Sequence, residues 1–155
     1  MPIPQDTKTA VIFMGLQASG KSAYYHQNYA STHTHISLDR LRTRRKERLL
    51  LDECIRSGRS FVVDNTNPTV QDRARYIRPA RQAGYRVIGL FFQSRAAECM
   101  ARNERRSGKA KVPAAAIAAT SNRLELPRIS EGFDALYFVS LEDDSFIVEK
   151  WEDER

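Results

Sequence analysis

Thr9-Ala10-Val11-Ile12-Phe13-Met14 followed by Gly15-Leu16-Gln17-Ala18-Ser19-Gly20-Lys21-Ser22 decides the fold. Six residues that are nearly all apolar read as a buried strand. They run into two glycines separated by four residues and then Lys and Ser, and a helix-period segment, about Lys21 to Tyr29, follows. A glycine-bearing turn between a strand and a helix points backbone N–H groups and the positive end of the helix dipole at one spot, which suits a row of phosphates. Gly15 and Gly20 permit the bends. Lys21 supplies a point charge for the β and γ phosphates, and the Ser22 hydroxyl suits a magnesium shell. The nucleotide-contacting set is therefore Gly15, Leu16, Gln17, Ala18, Ser19, Gly20, Lys21, Ser22 and Ala23, with ATP and Mg2+ as the implied cofactors.

Outward from this turn, short apolar runs alternate with helix-period segments. Strands are expected around His35 to Leu38, Ser60 to Val63, Arg86 to Phe92 and Ala135 to Leu141. Helices are expected over about Asp39 to Ser57, Thr69 to Ala83, Ala96 to Arg106 and Ala114 to Leu124, with Gly58 and Gly84 as stops. This is the pattern of an α/β domain with a four- to five-stranded parallel sheet flanked by helices. Ligands of such sheets bind beyond the carboxyl ends of the strands. Residues 1–141 form the expected domain, and residues 142–155 an acidic tail in which Ser145 to Trp151 adds a short edge strand.

Strand-end residues then carry the chemistry. Asp64 ends the third strand, ahead of Asn65, Thr66 and Asn67, and suits holding magnesium through water or orienting an arginine, as well as capping the turn that follows. Asp39 and Arg42 follow the second strand and lie on neighbouring helical faces: a base for an attacking hydroxyl and a cation for a substrate phosphate. Asp39 also suits the N-cap of its helix. Arg102, Arg105 and Arg106 precede the polar loop Ser107 to Val112, which reads as a helical lid bringing positive charge to the phosphates, although single surface arginines are common. The basic run Arg40 to Arg48 reads as a solvated helix face. His26, His33 and His35 lack metal spacing, Tyr24 and Tyr25 suit packing of the first helix, and Cys54 and Cys99 receive no chemical role.

Composition bounds the class of protein. The chain has 155 residues, 41% hydrophobic and 28% charged, as in ordinary globular domains, which argues against disorder, a collagen-like repeat or a disulfide scaffold. No run approaches the roughly 18 apolar residues of a membrane span, and the stretch Met1 to Asp6 lacks the basic and apolar regions of a signal peptide, so a cytoplasmic location without a membrane partner is expected. Residues 1–141 hold 23 Lys and Arg against 12 Asp and Glu, a net +11, whereas residues 142–155 hold 2 against 7, a net −5. A basic body favours polyanionic or highly phosphorylated ligands.

The residues Gly15 to Ser22, Ser37-Leu38-Asp39-Arg40-Leu41-Arg42, Val63-Asp64-Asn65-Thr66-Asn67, and Arg102-Asn103-Glu104-Arg105-Arg106 leading to Lys109 and Val112-Pro113 occur in an order that resembles the 5′-kinase domain of polynucleotide kinases, among the P-loop phosphotransferases. The resemblance covers roughly the first 115 residues. It implies a P-loop kinase fold with a helical lid, and transfer of the γ phosphate of ATP to a 5′-hydroxyl of DNA or RNA. It further implies that Asp39 is the general base, Arg42 binds the acceptor's 3′-phosphate, Asp64 supports the site, and Arg102 and Arg106 act from the lid on the nucleotide. Lys21, Asp39, Arg42, Asp64 and Arg106 are then the catalytic candidates, and Ser22 the metal-facing residue. Two readings stand beside it: a P-loop kinase of a small-molecule hydroxyl, of the zeta-toxin or antibiotic phosphotransferase type, and a nucleotide-binding ATPase module without kinase activity. The sequence leaves the oligomeric state open.

Overall fold

The computed structural model describes residues 7–152. The expectation about Met1 to Asp6 and the last three residues of the acidic tail lie outside them. One six-stranded sheet, in the order β2-β3-β1-β4-β5-β6, forms the centre of the molecule. Its strands are β1 Thr9–Met14, β2 Thr34–Ile36, β3 Phe61–Val63, β4 Arg86–Phe92, β5 Ala135–Glu142 and β6 Ser145–Lys150. The first five are parallel, and β6 returns antiparallel to β5. Among the described residues six α-helices accompany them: α1 Lys21–Asn28, α2 Leu38–Leu41, α3 Arg44–Ser57, α4 Val70–Gln82, α5 Ala96–Glu104 and α6 Ala114–Arg123.

Strand periodicity explains the two faces of the core. Successive side chains point to opposite sides of a sheet, and a parallel sheet is covered on both. Ala10, Ile12 and Met14 of β1 therefore pack with Leu51 and Cys54 of α3 and with Tyr76, Ile77 and Ala80 of α4. Val11 and Phe13 pack on the other side with Tyr25 of α1 and with Phe92 and Val139. A third cluster, Leu16, Ala18, Cys99 and Ile117, seats the loop after β1 on α5 and α6. Both cysteines are buried free thiols.

The chain reverses direction across the sheet at β1, which has β3 on one side and β4 on the other. The connections out of β1 and β3 part company there and leave a crevice above the carboxyl end of β1. Gly15 to Ser22 fill its floor.

Two expectations change. The helix read as continuous from Asp39 to Ser57 is two helices. Arg42 adopts a left-handed φ of 75°, and the Thr43 hydroxyl accepts the Lys46 N–H at 3.1 Å, so Thr43 caps a new helix one turn after the first. That local side-chain bond ends the first helix where apolar spacing alone would continue it. The helix expected to reach Arg106 stops at Glu104, because the buried Asn103 amide donates to Val112 O at 2.6 Å and accepts from Val112 N at 2.9 Å, pulling the chain into a short loop with a 3-10 turn at Gly108–Ala110. Residues 142–150 of the acidic end belong to the sheet: Asp143 and Asp144, both at positive φ, make the two-residue turn that returns β6 along β5.

Candidate functional site

Neighbouring elements grip the phosphate loop through its first two N–H groups, a carbonyl and a side chain. Gly15 N donates to Thr66 O at 2.9 Å, and Leu16 N donates to the Ser94 hydroxyl at 3.0 Å. Arg102 of α5 donates to Ala18 O at 3.1 Å, and the Gln17 amide donates to the Thr120 hydroxyl of α6 at 3.0 Å. Gly15 has φ 144°, and a Cβ there would lie 3.0 Å from Phe92 O, so the first turn of the loop requires glycine. Gly20 has φ 101° and carries the ring of Phe146 from β6 on its bare Cα, where a Cβ would lie 2.9 Å from the ring. Phe146 packs edge-on against Tyr24, which in turn meets Phe13 and Phe92. The tyrosines of α1 thus serve packing, as expected.

Lys21 lies inside the loop, its ammonium donating to Gly15 O at 2.9 Å and Leu16 O at 2.6 Å. Burial pushes it down to about 8, while the nearby Asp64 and Asp39 carboxylates pull upward and Arg106 adds to the lowering. Asp64, Asp39 and Arg106 therefore all lie close enough to act on Lys21. Ser22 donates to Asp64 Oδ2 at 2.8 Å, and the same oxygen meets His35 Nε2 at 2.7 Å. The His35 ring stacks on Tyr25 at 3.9 Å, and the Tyr25 hydroxyl donates to His33 O at 2.6 Å. Asp64 is accordingly tied to Ser22 and β2 and does not cap the following turn. Two hard oxygen donors, the Ser22 hydroxyl and the Asp64 carboxylate, fit magnesium, which keeps several waters and takes few protein ligands. Among the described residues no group of three or more His, Cys, Asp or Glu forms a metal cage.

Asp39 stands in the first turn of α2, with Ser37 rather than Asp39 at the N-cap, and Arg42 closes the same turn. Both are exposed and line one cleft of about 960 Å³ together with Gln17, Lys21, Ser22, Asp64 and, from the lid, Arg106, Lys109 and Val112. Arg106 donates to Ala110 O at 3.2 Å within the lid loop, whereas Arg102 sits lower, against the phosphate loop. The fold thus brings Lys21, Ser22, Asp64, Asp39, Arg42 and Arg106 around one cleft together with Gln17, Ala18 and Gly20, with Arg102 holding the loop at Ala18 O, while Ala23 is an exposed residue of α1 outside the cleft lining.

Sequence reading missed the supports. Ser94 follows β4 and was signalled only by its place at a strand's carboxyl end beside the loop. His35 was set aside for want of metal spacing, yet it holds Asp64. Asn65 falls inside the Val63-to-Asn67 stretch without a role of its own there, and Glu47 and Thr120 carry no motif.

Comparison with known proteins follows this geometry. A family model described as AAA domain matches residues 11–127. A bifunctional polynucleotide phosphatase/kinase of Schizosaccharomyces pombe is 26% identical over 129 residues, 79% of this chain and 31% of the relative, so the chain spans about a third of that protein's length. Chaetomium thermophilum Kti12 in complex with ADP-AlF3 superposes with a TM-score of 0.68 at 19% identity, covering 88% of this chain and 91% of the other. The PezAT toxin-antitoxin structure of Streptococcus pneumoniae gives a TM-score of 0.70 at 11% identity, over 91% and 71%. No helix among the described residues is long and apolar enough to cross a membrane. With a matched model over most of its length and the phosphate loop seated at the switch of a parallel sheet, the chain belongs to the AAA domain family and has the fold of a P-loop phosphotransferase.

Proposed function

We propose that the protein is an ATP- and magnesium-dependent kinase that phosphorylates the 5′-hydroxyl end of DNA or RNA. The observation that carries this reading is one cleft lined by the phosphate loop, Ser22 and Asp64 beside β1 and β3, by Asp39 and Arg42 from the turn after β2, and by Arg106 and Lys109 from the lid. A γ phosphate held by Lys21 and the loop amides faces an aspartate placed to take the proton of an attacking hydroxyl. Ser22, with Asp64 acting through water, would hold magnesium, which would supply charge neutralisation at the transferring phosphoryl group. Arg42 binds a phosphate of the acceptor, and Arg106 offers positive charge from the lid. Transfer is direct, and catalysis is mostly positioning and charge neutralisation.

The acceptor class is supported by the strand-end sequences that resemble polynucleotide kinases, by the S. pombe relative, and by the net +11 of residues 1–141. The test is transfer of labelled γ phosphate from ATP to 5′-hydroxyl oligonucleotides, beside an Asp39→Ala control. Label on the 5′ end that requires Asp39 supports the reading. ATP binding without transfer to any oligonucleotide overturns it in favour of a small acceptor or a nucleotide-binding module.

A further inference from the structure

Asp64 and Asn65 are consecutive, yet they serve opposite ends of the cleft. Asp64 turns to Ser22, whereas Asn65 turns to the helices that follow β2. Asn65 Oδ1 accepts the Leu38 N–H at 2.9 Å, and Asn65 Nδ2 donates to Glu47 Oε2 at 2.8 Å. The other Glu47 oxygen, Oε1, accepts from the Tyr76 hydroxyl at 2.9 Å and from Arg44 at 2.9 Å. Glu47 is only 2% exposed.

The helix this network touches needs outside help. Leu38–Leu41 is a single turn, too short to hold itself, and its N-cap Ser37 makes no side-chain capping bond. The partner of its first N–H comes from Asn65, 27 residues away. We propose that Asn65, locked by Glu47 and Tyr76, is a positioning residue that caps the Asp39-bearing turn from outside and so sets the general base against the phosphate end. The inference rests on the role given to Asp39 above.

The network's polarity makes the assignment specific. The Leu38 N–H can only donate, so the Asn65 oxygen faces it and the amide nitrogen must face the carboxylate. Burial raises Tyr76 above its ordinary range and the Glu47 carboxylate adds to the rise, so the phenol stays a donor at any working pH. A buried carboxylate is costly unless all its bonds are made. Here it fixes one orientation of Asn65, which an apolar residue could not do.

The test reverses that polarity in the full-length chain, using Asn65→Asp, Glu47→Gln and the double variant. Alone, Asn65→Asp sets two carboxylates face to face, and Glu47→Gln sets its amide nitrogen against a donor in either orientation, Asn65 Nδ2 in one and the Arg44 guanidinium in the other. Together they exchange donor and acceptor across the 65–47 contact and keep the bond to Leu38, giving up only the 3.2 Å bond from Asn65 Nδ2 to the Tyr76 hydroxyl. Each single variant should lose about tenfold or more in single-turnover transfer to a 5′-hydroxyl oligonucleotide, while the Kd for ATP stays within about twofold and the double variant recovers to within about threefold, because small misplacements of a reacting group cost large factors in rate. Protection of the Leu38 amide from hydrogen exchange should fall in the singles and return in the double. Single variants with wild-type transfer, or losses that follow ATP affinity and Tm, overturn the proposal, as does a double variant that regains Tm without regaining rate. If the wild-type chain transfers to no oligonucleotide, the acceptor reading fails separately, and unaltered Leu38 protection in the single variants would then overturn the positioning role by itself.

Discussion

The two ends of the cleft are built in different ways. The phosphate end is a contiguous stretch, Gly15 to Ser22, whose glycines, lysine and serine act from the positions where the backbone leaves them. The acceptor end is one helical turn whose place depends on residues far along the chain, Asn65 on β3's exit, Glu47 on α3 and Tyr76 on α4. Both ends lean on partners far along the chain, Thr66, Ser94, Arg102 and Thr120 in the case of the loop, but the loop's phosphate-facing groups lie within one stretch, whereas the groups that hold the Asp39 turn are gathered from three elements.

The sharpest break between the ends is Asp39→Ala. It should reduce transfer by about 10²- to 10⁴-fold, the usual worth of a positioned base, and leave ATP affinity near wild type, read by single-turnover kinetics beside equilibrium nucleotide binding. Equal loss of both would show that the ends are not separable. Arg73 tests what they share. It is fully buried, donates to Asn67 O at 3.0 Å, Pro68 O at 3.2 Å and the backbone oxygen of Glu125, and pairs with Glu131 at 3.0 Å, clamping the loop that carries Asp64 to Asn67. Arg73→Met should lower stability by about 3 kcal/mol in a denaturant titration, because Glu131 is left buried without its cation.

Proton linkage probes the phosphate end alone. Lys21 titrates at about 8 in the folded chain against an ordinary 10.5. Between those values the unfolded chain binds more protons, so Lys21 makes stability rise with pH across that window. Phosphates favour the charged lysine. ATP affinity should therefore be flat below pH 8 and fall about tenfold by pH 9, with proton uptake on binding seen by calorimetry in two buffers. A flat profile to pH 9 would remove Lys21 as the titrating group. The smallest effect is expected from Ser94→Ala. It strips the Leu16 N–H of its partner, costing about 1 kcal/mol in thermal unfolding and weakening ATP a few-fold, with transfer from bound ATP unchanged.

Most of the fold was legible because its signals are local. The strands Thr9–Met14 and Arg86–Phe92 and the stop at Gly58 came out as read, since apolar runs and a left-handed glycine act over a few residues. The single long helix over 39–57 was misread for the same reason: apolar spacing continues through Arg42, and only the Thr43 hydroxyl on Lys46 N decides against it. The candidate side chains likewise lie in recognisable local patterns, whereas most of their supports do not. His35, Ser94 and Glu47 sit in unremarkable sequence and acquire meaning from what lies across the sheet.

The sequence by itself determined the alternation of strands and helices, the phosphate loop and the strand-end position of Asp64, because hydrophobic period and backbone permissiveness are properties of neighbours in the chain. The tertiary structure alone decided that Asp39, Arg42 and Arg106 share a cleft with Lys21, that β6 lays Phe146 on Gly20, and that Asn65 caps the turn that bears Asp39. Those are contacts between segments tens of residues apart. Their geometry is fixed only when the sheet brings the segments together and burial makes every unpaired polar group costly.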